Sequence, residues 1–515
     1  MKLPIKLRCV TPFLLVATIY AQTDALRQGV ASFRNGQYEA ALSEFRAAQR
    51  LQPNDATLDN LIGITETKLG RIDEANRAYE ASIRLNPRYP EARKNLAFNY
   101  LQAGQYAGAE GQLKAALASD GNDPAIHYYL VILYLSTQRD GEVAAHVDAA
   151  TEFLKSDPDT AMSAIAAMLR SGSADEAEKL ADVIETGSGL SVKQEYQLAK
   201  DFNDKGLYTD SARRYRDVLQ MTPDSWEAEY DLAVTLTKAG QPAEALSLLK
   251  STEEAHNSDP KILAMIAWAA EYAGDSSLAL NAYQKAIAAD AANPDRYLDC
   301  TRLLMDLNRY DEAAKIASQG IAQVPDPYAL RVRLGAIEMM QGNHEKAMLD
   351  YQQAIAMHPE VALGYVALAQ THMKDGDDQK AMDVLSEGRT RVAPDFALEY
   401  ALGLVAYDLG RQEQAIAAFT RSEQLNPDIV EPHYKLGIIY FQNGQLKKAQ
   451  EEIESVLRIN SSHAGAHYQL SRVYARLGDM QRARRTAEIG QKLLRTQQDQ
   501  AITAEKSRLS SLQPQ

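Results

Sequence analysis

Residues 396–429 read FALEYALGLVAYDLGRQEQAIAAFTRSEQLNPDI, and the pattern of this stretch decides the fold. Apolar residues recur at three- and four-residue spacing up to Gly410, which is typical of one face of an α-helix. A second apolar run carries Ala415 and Phe419 and ends before Pro427. Because glycine accepts a left-handed turn and proline cannot continue a helix, the stretch predicts two helices joined by a tight turn.

The same pattern recurs every 34 residues from residue 22 to residue 497, which gives fourteen repeats that begin at 22, 56, 90 and onward to 464. Positions are counted from the first residue of each repeat. Position 15 is Gly in twelve repeats, with Gln138 and Asn308 as the exceptions. Position 20 is Ala in twelve repeats, with Val143 and Ser211 as the exceptions. One two-helix element therefore recurs along almost the whole chain.

This pattern resembles the tetratricopeptide repeat, whose motif is matched by Gly410, Ala415, Phe419 and Pro427 in the quoted stretch. The resemblance covers nearly all of residues 22–497. It implies an all-α fold, a right-handed superhelical solenoid of antiparallel helix pairs, with a concave groove lined mainly by the first helix of each repeat. The motif identifies the fold and says little about reaction chemistry.

The repeat frame predicts five segments along the chain. Residues 1–21 are expected to be a signal peptide, and residues 22–157 an N-terminal arm of four repeats, the last of them degenerate. Residues 158–191 form a further degenerate repeat that we interpret as a possible hinge. Residues 192–497 make the main array of nine repeats. Residues 498–515 are polar and predict a capping helix and tail.

The hinge hypothesis depends on departures from the pattern in two consecutive repeats. Gln138 and Val143 replace the expected Gly and Ala, and Ala181 stands where other repeats carry a large side chain. The run at 186–189, Thr-Gly-Ser-Gly, is typical of a flexible connection. This pattern predicts a weakly packed connection, and the alternative is two diverged but well-packed repeats.

The N-terminus has the features of an export signal. Lys2, Lys6 and Arg8 precede an apolar stretch that ends at Ala21, a small residue followed by polar ones. The stretch is shorter than the ~20 residues that a relaxed membrane-spanning helix needs. We therefore expect a periplasmic or secreted protein, and the alternative is a protein anchored to the membrane through an uncleaved segment 1–21.

The net charge limits the classes of partner. The formal net charge of −14 repels phosphate backbones, so we expect no nucleic-acid partner, and a membrane partner only if residues 1–21 stay attached.

The chain has only two cysteines, Cys9 and Cys300, so cleavage of the signal would leave no internal disulfide. Cys300 occupies an apolar helix position and is expected to be a buried small side chain.

The sequence lacks the local motifs of catalysis or cofactor binding. The nine histidines are spread over different repeats, and His463 and His467, although four residues apart, have no obvious third metal ligand. No phosphate-binding loop or nucleophile elbow is present. We therefore expect no enzyme activity, no cofactor, no metal and no catalytic residue.

The first helices offer a candidate surface for other proteins. Their positions 2, 5, 9 and 12 should face the groove, and in the C-terminal repeats positions 5, 9 and 12 are rich in Tyr and Met, which suit an adaptable peptide-binding surface. The candidate partner-binding residues are Met339, Met373, Tyr400, Leu404, Tyr407, Tyr434, Ile438, Phe441 and Tyr468. The alternative is that these residues serve only the internal packing of the repeat.

The sequence therefore predicts a non-enzymatic scaffold or adaptor that binds peptide segments or partner proteins outside the cytoplasm. Two alternatives stay open. One is a regulatory or targeting subunit of an enzyme encoded elsewhere, and the other is a membrane-anchored envelope assembly factor. The sequence leaves the oligomeric state undefined.

Overall fold

The computed structural model describes residues 24–187, 190–255 and 259–511. The described residues form 28 α-helices and one short 3-10 turn, Asp140–Glu142, and contain no strand. The predicted signal peptide, residues 1–21, lies outside the described residues. Within the described part of the chain, no helix combines the length and the apolar character needed to span a bilayer.

Contacts divide the chain into an N-terminal half, Met1–Thr252, and a C-terminal half, Glu253–Gln515. The helices of the N-terminal half are α1 Asp24–Arg34, α2 Tyr38–Leu51, α3 Ala56–Lys68, α4 Ile72–Leu85, α5 Pro90–Gln102, α6 Tyr106–Leu117, α7 Pro124–Ser136, α8 Ala144–Lys155, α9 Pro158–Ser171, α10 Ala174–Gly187, α11 Val192–Asp204, α12 Tyr208–Met221, α13 Trp226–Lys238 and α14 Pro242–Ala255, the last of which runs three residues past the division.

The C-terminal half contains the remaining helices. They are α15 Pro260–Tyr272, α16 Ser276–Ala289, α17 Pro294–Asp306, α18 Tyr310–Gln323, α19 Tyr328–Met340, α20 His344–Met357, α21 Ala362–Lys374, α22 Asp378–Arg391, α23 Phe396–Asp408, α24 Gln412–Leu425, α25 Val430–Gln442, α26 Leu446–Ile459, α27 Ala464–Arg476 and α28 Met480–Ser511.

The helix boundaries follow the repeat frame. From α3 onward, every first helix begins at position 1 of its repeat, so the starts run from Ala56 to Ala464 in steps of 34 residues. Second helices begin at position 17, except that in the 124–157 repeat the Asp140–Glu142 turn occupies positions 17–19 and delays α8 to Ala144. The all-α fold of stacked helix pairs that the sequence predicted is confirmed.

The residue at position 15 ends each first helix in a left-handed conformation. In the quoted repeat, the Gly410 N–H donates to the Tyr407 carbonyl at 3.0 Å and the Arg411 N–H donates to the Ala406 carbonyl at 2.8 Å. These two bonds form a Schellman motif, which satisfies carbonyls that the helix leaves unpaired. Gln138 and Asn308 adopt the same turn with φ of 57°, so the turn persists where glycine is absent.

Small residues let the two helices of a repeat approach closely. Ala415 at position 20 is fully buried, and so is the Phe419 ring at position 24. A Cβ built on Gly403 at position 8 would lie 2.5 Å from Cδ1 of that ring. The ring therefore occupies the volume that a side chain at position 8 would need, and Gly403 makes the close approach possible.

The 158–191 repeat has a filled interior. One apolar core runs from α5 to α11 and includes Met168 and Ile184, and Ala181, at the position of the expected large side chain, is fully buried within it. The side chains of residues 186–189 lie outside the described set. The described interior is that of a well-packed repeat, while hinge motion and the predicted segment boundaries stay predictions.

The C-terminal end of the chain extends the last second helix. α28 runs without interruption through Ser511, so residues 498–511 continue this helix rather than form a separate one. Ile489 and Leu494 are exposed on it, as is Ile502. Residues 512–515 lie outside the described residues.

Substitution of Gly403 tests the close approach of α23 and α24. Alanine normally favours a helix over glycine by up to about 1 kcal/mol, but here its Cβ would strike the Phe419 ring. We expect Gly403→Ala to lower the free energy of unfolding by about 1–3 kcal/mol, as overpacked cores do, measured by urea denaturation. Adding Phe419→Leu should recover part of this loss.

Gly111 on α6 supplies a matched control, because a Cβ built there meets no atom within 4 Å. We expect Gly111→Ala to raise stability by roughly 0.5–1 kcal/mol. A Gly403→Ala protein as stable as the Gly111→Ala protein would contradict the packing argument.

Candidate functional site

The predicted groove residues lie on first helices of the C-terminal half, and the structure places each of them as follows. Met339 lies on α19, Met373 on α21, Tyr400, Leu404 and Tyr407 on α23, Tyr434, Ile438 and Phe441 on α25, and Tyr468 on α27. Five successive repeats therefore contribute to the surface. Whether the surface binds a partner stays a prediction.

The groove residues differ in how far solvent reaches them. Tyr468 is 57% exposed, whereas Phe441 is only 9% exposed and packs in the core with Ala449 and Val473. The other predicted residues are half-buried, and Tyr400, Leu404, Tyr407 and Met373 pack against the neighbouring core. Most of the predicted groove residues therefore pack partly against the core and expose the rest of the side chain to solvent.

Side-chain contacts connect α23 with α25. The Tyr407 hydroxyl accepts a hydrogen bond from Gln442 Nε2 at 3.2 Å, and the Lys435 ammonium lies 5.9 Å from the centre of the Tyr407 ring. Tyr400 instead packs within its own repeat, with its ring 5.6 Å from that of Phe419. Tyr407 therefore joins two repeats, while Tyr400 stabilises one.

Two arginines of α27 lie beside the apolar groove residues at the C-terminal end of this surface. The Arg472 guanidinium lies 4.7 Å from the Phe441 ring centre and 5.8 Å from that of Tyr468. The Arg476 guanidinium lies 5.0 Å from the same Phe441 ring, and Arg476 donates to the Phe441 carbonyl at 3.2 Å. Neither arginine was among the predicted groove residues, because those were chosen for apolar character. Arg472 stands at position 9, which is Leu404 or Ile438 in the two preceding repeats.

Three further exposed apolar side chains on these first helices were not among the predicted groove residues. Tyr272, Met340 and Leu363 are each more than half exposed. Tyr272 packs against Trp268, with ring centres 4.9 Å apart. Leu363 occupies position 2, which was predicted to face the groove, whereas Tyr272 and Met340 occupy position 13, which was not.

A second kind of site lies between consecutive repeats. Here position 28 of one repeat approaches positions 4 and 23 of the next repeat. We call these three positions the inter-repeat set. Position 4 contacts position 23 through polar atoms in several repeats. The pairs are Arg93–Gln112 at 2.8 Å, His127–His146 at 2.9 Å, Glu195–Arg214 at 3.2 Å, Arg331–Asp350 at 2.9 Å and His433–Glu452 at 2.8 Å.

One inter-repeat set contains a fully buried arginine. Arg214 Nη1 lies 3.2 Å from Glu195 Oε1 and 3.4 Å from Glu185 Oε2. Burial raises the pKa of the Glu195 carboxyl, and the charge of Arg214 opposes this rise. The oxygens of Glu185, Glu195 and Asp217 are close enough together to hold a cation. The guanidinium already supplies positive charge there, so the cluster is a structural ion pair.

A different inter-repeat set joins α24, α25 and α26. His433 Nδ1 lies 2.8 Å from Glu452 Oε2 and 3.1 Å from Glu423 Oε2, and His433 Nε2 lies 3.3 Å from the Pro427 carbonyl oxygen. The adjacent carboxylates of Glu423 and Glu452 raise the pKa of His433 to about 10. The sequence analysis expected no metal site and missed this cluster because its members lie on three different helices.

Two further groups bear on the expected absence of catalysis. Cys300 is fully buried, which confirms its predicted role as a small core side chain, and burial raises the pKa of its thiol to about 12. His463 Nδ1 accepts the Ala466 N–H at 2.9 Å and so caps α27, while His467 Nε2 donates to the Ser461 carbonyl at 2.9 Å. Both histidines therefore stabilise the start of α27.

Glu338 on α19 has a carboxyl pKa above the ordinary glutamate value. Burial is the main cause that raises the pKa of its carboxyl to about 7, and the charge of Asp350 adds to the effect. Lys346 opposes the rise. Arg331 donates to Asp350 at 2.9 Å, which leaves Glu338 as the second acid beside an already paired carboxylate. Glu338 therefore changes its protonation between mildly acidic and mildly basic solution, unlike a solvent-exposed glutamate.

Family models match the chain over much of its length. A model described as tetratricopeptide repeat matches residues 66–130, 203–269 and 272–334, and a second model with that description matches 434–490. A model described as TPR repeat matches residues 403–444. The chain is a tetratricopeptide-repeat protein. Repeats of this family typically serve as non-catalytic scaffolds for protein–protein interaction.

Individual relatives share this repeat. Cellulose synthase operon protein C of Pseudomonas fluorescens is 26% identical over 448 residues, which are 80% of this chain and 33% of the relative. TPR repeat-containing protein YpiA of Bacillus subtilis is 21% identical over 74% of this chain and 82% of its own length. The peroxisomal targeting signal receptor of Kluyveromyces lactis is 31% identical over 21% of this chain and 20% of the receptor. The repeat protein thus spans about a third and a fifth, respectively, of the first and third of these relatives.

Two solved structures are similar in fold to the repeat protein. Yeast Tom70 matches with a TM-score of 0.40 and 15% identity, over 94% of this chain and 98% of Tom70. MamA matches with a TM-score of 0.30 and 21% identity, over 32% of this chain and 97% of MamA.

The pKa of Glu338 gives a prediction for stability against pH. Because this pKa is higher in the folded protein than the ordinary glutamate value of 4.5, the folded state binds more protons between about pH 4.5 and pH 7. Stability contributed by this group therefore falls as pH rises through that window. We expect Glu338→Gln to raise the melting temperature at pH 8 and to have little effect at pH 4.5, measured by circular dichroism.

An exposed glutamate on the neighbouring helix, Glu345 of α20, supplies the control. Glu345→Gln should leave the difference in melting temperature between pH 4.5 and pH 8 unchanged. If Glu338→Gln also leaves that difference unchanged, the proposed proton uptake by Glu338 is wrong.

Proposed function

We propose that the repeat protein is a non-enzymatic scaffold that binds peptide segments or partner proteins along the first helices of residues 260–476. The observation that carries this proposal is the exposure of large apolar side chains on several of these first helices. Tyr272, Met340, Leu363 and Tyr468 are each more than half exposed. Exposed apolar surface of this kind is a common feature of protein-binding sites.

The contacts at α27 favour a partner with a particular chemistry. A peptide that packs apolar side chains along Tyr407, Ile438 and Tyr468 would reach Arg472 and Arg476 at the end of the groove. Guanidinium groups favour carboxylates because they offer several donors in one plane. The proposed partner is therefore a segment with apolar residues followed by an acidic side chain or a chain terminus. The net charge of −14 disfavours nucleic acid as a partner.

We also propose that the scaffold works outside the cytoplasm, in the periplasm or as a secreted protein. The support is the sequence of residues 1–21, with its basic start, apolar stretch and small residue at Ala21. Retention of this segment would instead give a membrane-anchored assembly factor.

A second candidate function is a regulatory or targeting subunit of an enzyme encoded elsewhere. The observation that favours it is the 26% identity to a protein named for the cellulose synthase operon, which extends over 80% of this chain. The repeat protein spans a third of that relative, so a shared role is part of the proposal. Co-purification with a stable catalytic partner would distinguish a subunit from an independent adaptor.

The groove proposal predicts a selective loss of partner capture. We expect the double variant Leu363→Ser and Tyr468→Ser to reduce capture of partners from the native extract at least about tenfold, because it removes apolar contact area from the surface. Both side chains are more than half exposed, so helicity and melting temperature should change little. Affinity capture with quantitative mass spectrometry measures the loss.

Leu349 provides the matched control, because it is 55% exposed, against 53% for Leu363, but lies on the second helix α20. Leu349→Ser should leave the captured proteins unchanged. Equal losses from the groove variant and from Leu349→Ser would argue for nonspecific apolar binding and against the groove.

The proposed location predicts where the mature chain begins. We expect protein recovered from outside the cytoplasm to start at Gln22, as determined by N-terminal sequencing. Leu15→Arg, which places a charge in the apolar stretch, should retain the chain in the cytoplasm. Recovery of the wild-type chain in the cytoplasm with residues 1–21 attached would contradict export, whereas an intact N-terminus in the membrane fraction would favour the anchored alternative.

A further inference from the structure

We propose that Glu423, His433 and Glu452 form a binding site for one divalent transition-metal ion between two consecutive repeats. The three residues come from α24, α25 and α26, and their candidate ligand atoms all lie within 4.8 Å of one another. This inference concerns the interior of the repeat array and is independent of partner binding in the groove.

The geometry around His433 is that of a metal ligand with its ring held in place. Nε2 lies 3.3 Å from the Pro427 carbonyl oxygen, so this nitrogen donates a proton there and Nδ1 faces the carboxylates. Metal-binding histidines commonly use the second ring nitrogen in this way, which fixes the ring orientation. The three side chains are mostly buried, with exposed fractions of 13% for His433 and 19% for each glutamate.

A single proton on Nδ1 does not satisfy both carboxylates. It serves Glu452 Oε2 through a hydrogen bond of 2.8 Å. Glu423 Oε2, 3.1 Å from the same nitrogen, is buried and has no hydrogen-bond partner among the described residues. A buried carboxylate oxygen without a partner is costly. An ion bound by Nδ1 and by both carboxylates would use all three ligand atoms, and it would displace the Nδ1 proton to solvent.

The ligand set defines the class of ion. One imidazole nitrogen and two carboxylate oxygens suit Zn²⁺ and neighbouring first-row divalent ions, which accept three protein ligands and a water molecule. Mg²⁺ prefers six oxygen ligands in octahedral geometry and should bind more weakly.

The next repeat supplies a matched comparison. His467 occupies the same position as His433, and its Nε2 donates to the Ser461 carbonyl at 2.9 Å in the same manner. The other two positions of that inter-repeat set are Leu457 and Thr486, neither of which has a carboxylate. The two histidines therefore share a backbone environment and differ in the acidic ligands, so only His433 should bind the ion.

The test is titration of the purified full chain with Zn²⁺ at pH 8, followed by isothermal calorimetry and by the melting temperature. We expect one high-affinity Zn²⁺ per chain, and an increase in melting temperature because the ion binds only the folded repeats. His433→Gln and Glu423→Gln should each weaken this affinity by roughly 100-fold or more. His467→Gln should leave it unchanged, and Mg²⁺ should not compete at equal concentration.

Glu423→Gln keeps the test decisive if loss of His433 disturbs folding, because it preserves both the size and the polarity of the side chain. Far-ultraviolet circular dichroism and melting without metal report whether each variant is folded. Zn²⁺ binding to folded Glu423→Gln with wild-type affinity would overturn the proposal. So would the absence of stoichiometric Zn²⁺ uptake by the wild-type chain, since a proton alone would then occupy the cluster.

Discussion

The close approach of the two helices within each repeat is the constraint on which the remaining structure depends. In the quoted repeat, the Phe419 ring lies where a Cβ of Gly403 would be, and Ala415 is buried on the same second helix. The second helix thereby covers one side of the first helix and buries its apolar residues. The other sides of the first helix remain available for the preceding repeat, the following repeat and the groove.

This constraint also explains which features could be predicted from the sequence. The tight turn, the small residues and the large ring all belong to one 34-residue repeat, so a fixed spacing identifies them. The position in the repeat determines the backbone conformation even without glycine, since Gln138 adopts the left-handed turn with φ of 57° where most repeats have glycine. Backbone conformation there follows from the position in the repeat and from the bonds that close the helix, despite the cost of this conformation for a residue with a Cβ.

The features that the sequence analysis missed depend on geometry between helices. Glu423, His433 and Glu452 are separated by 10 and 19 residues and lie on three helices, so no local motif marks them. Arg472 likewise gains its importance from the ring of Phe441, which lies on the preceding first helix. The sequence identified the positions of the groove residues but not their solvent exposure. Their position follows from helical spacing, but their exposure depends on neighbouring repeats.

The inter-repeat set shows that positions of equal geometry can carry different chemistry. It holds a carboxylate pair around Arg214 in one repeat and two carboxylates around His433 in another. Because the apolar core of each repeat is filled by other positions, these sites can vary without loss of that core. A shift of one repeat against the next would separate a mostly buried charge from its partner, which is strongly unfavourable. The contacts of position 28 with the following repeat, Glu185–Arg214 and Glu423–His433, therefore favour one placement of these consecutive repeats.

The helix α25 brings the two sites of the C-terminal half together. His433 faces the inter-repeat set and Tyr434, the next residue, contacts the start of α27, because successive residues of a helix point about 100° apart. The same helix carries Phe441, which packs against Ala449 of α26 and under Arg472 of α27. An ion held by α24, α25 and α26 would fix this helix from a different side than its groove residues. It would change partner affinity only to the extent that the partner distinguishes the fixed arrangement from the free one.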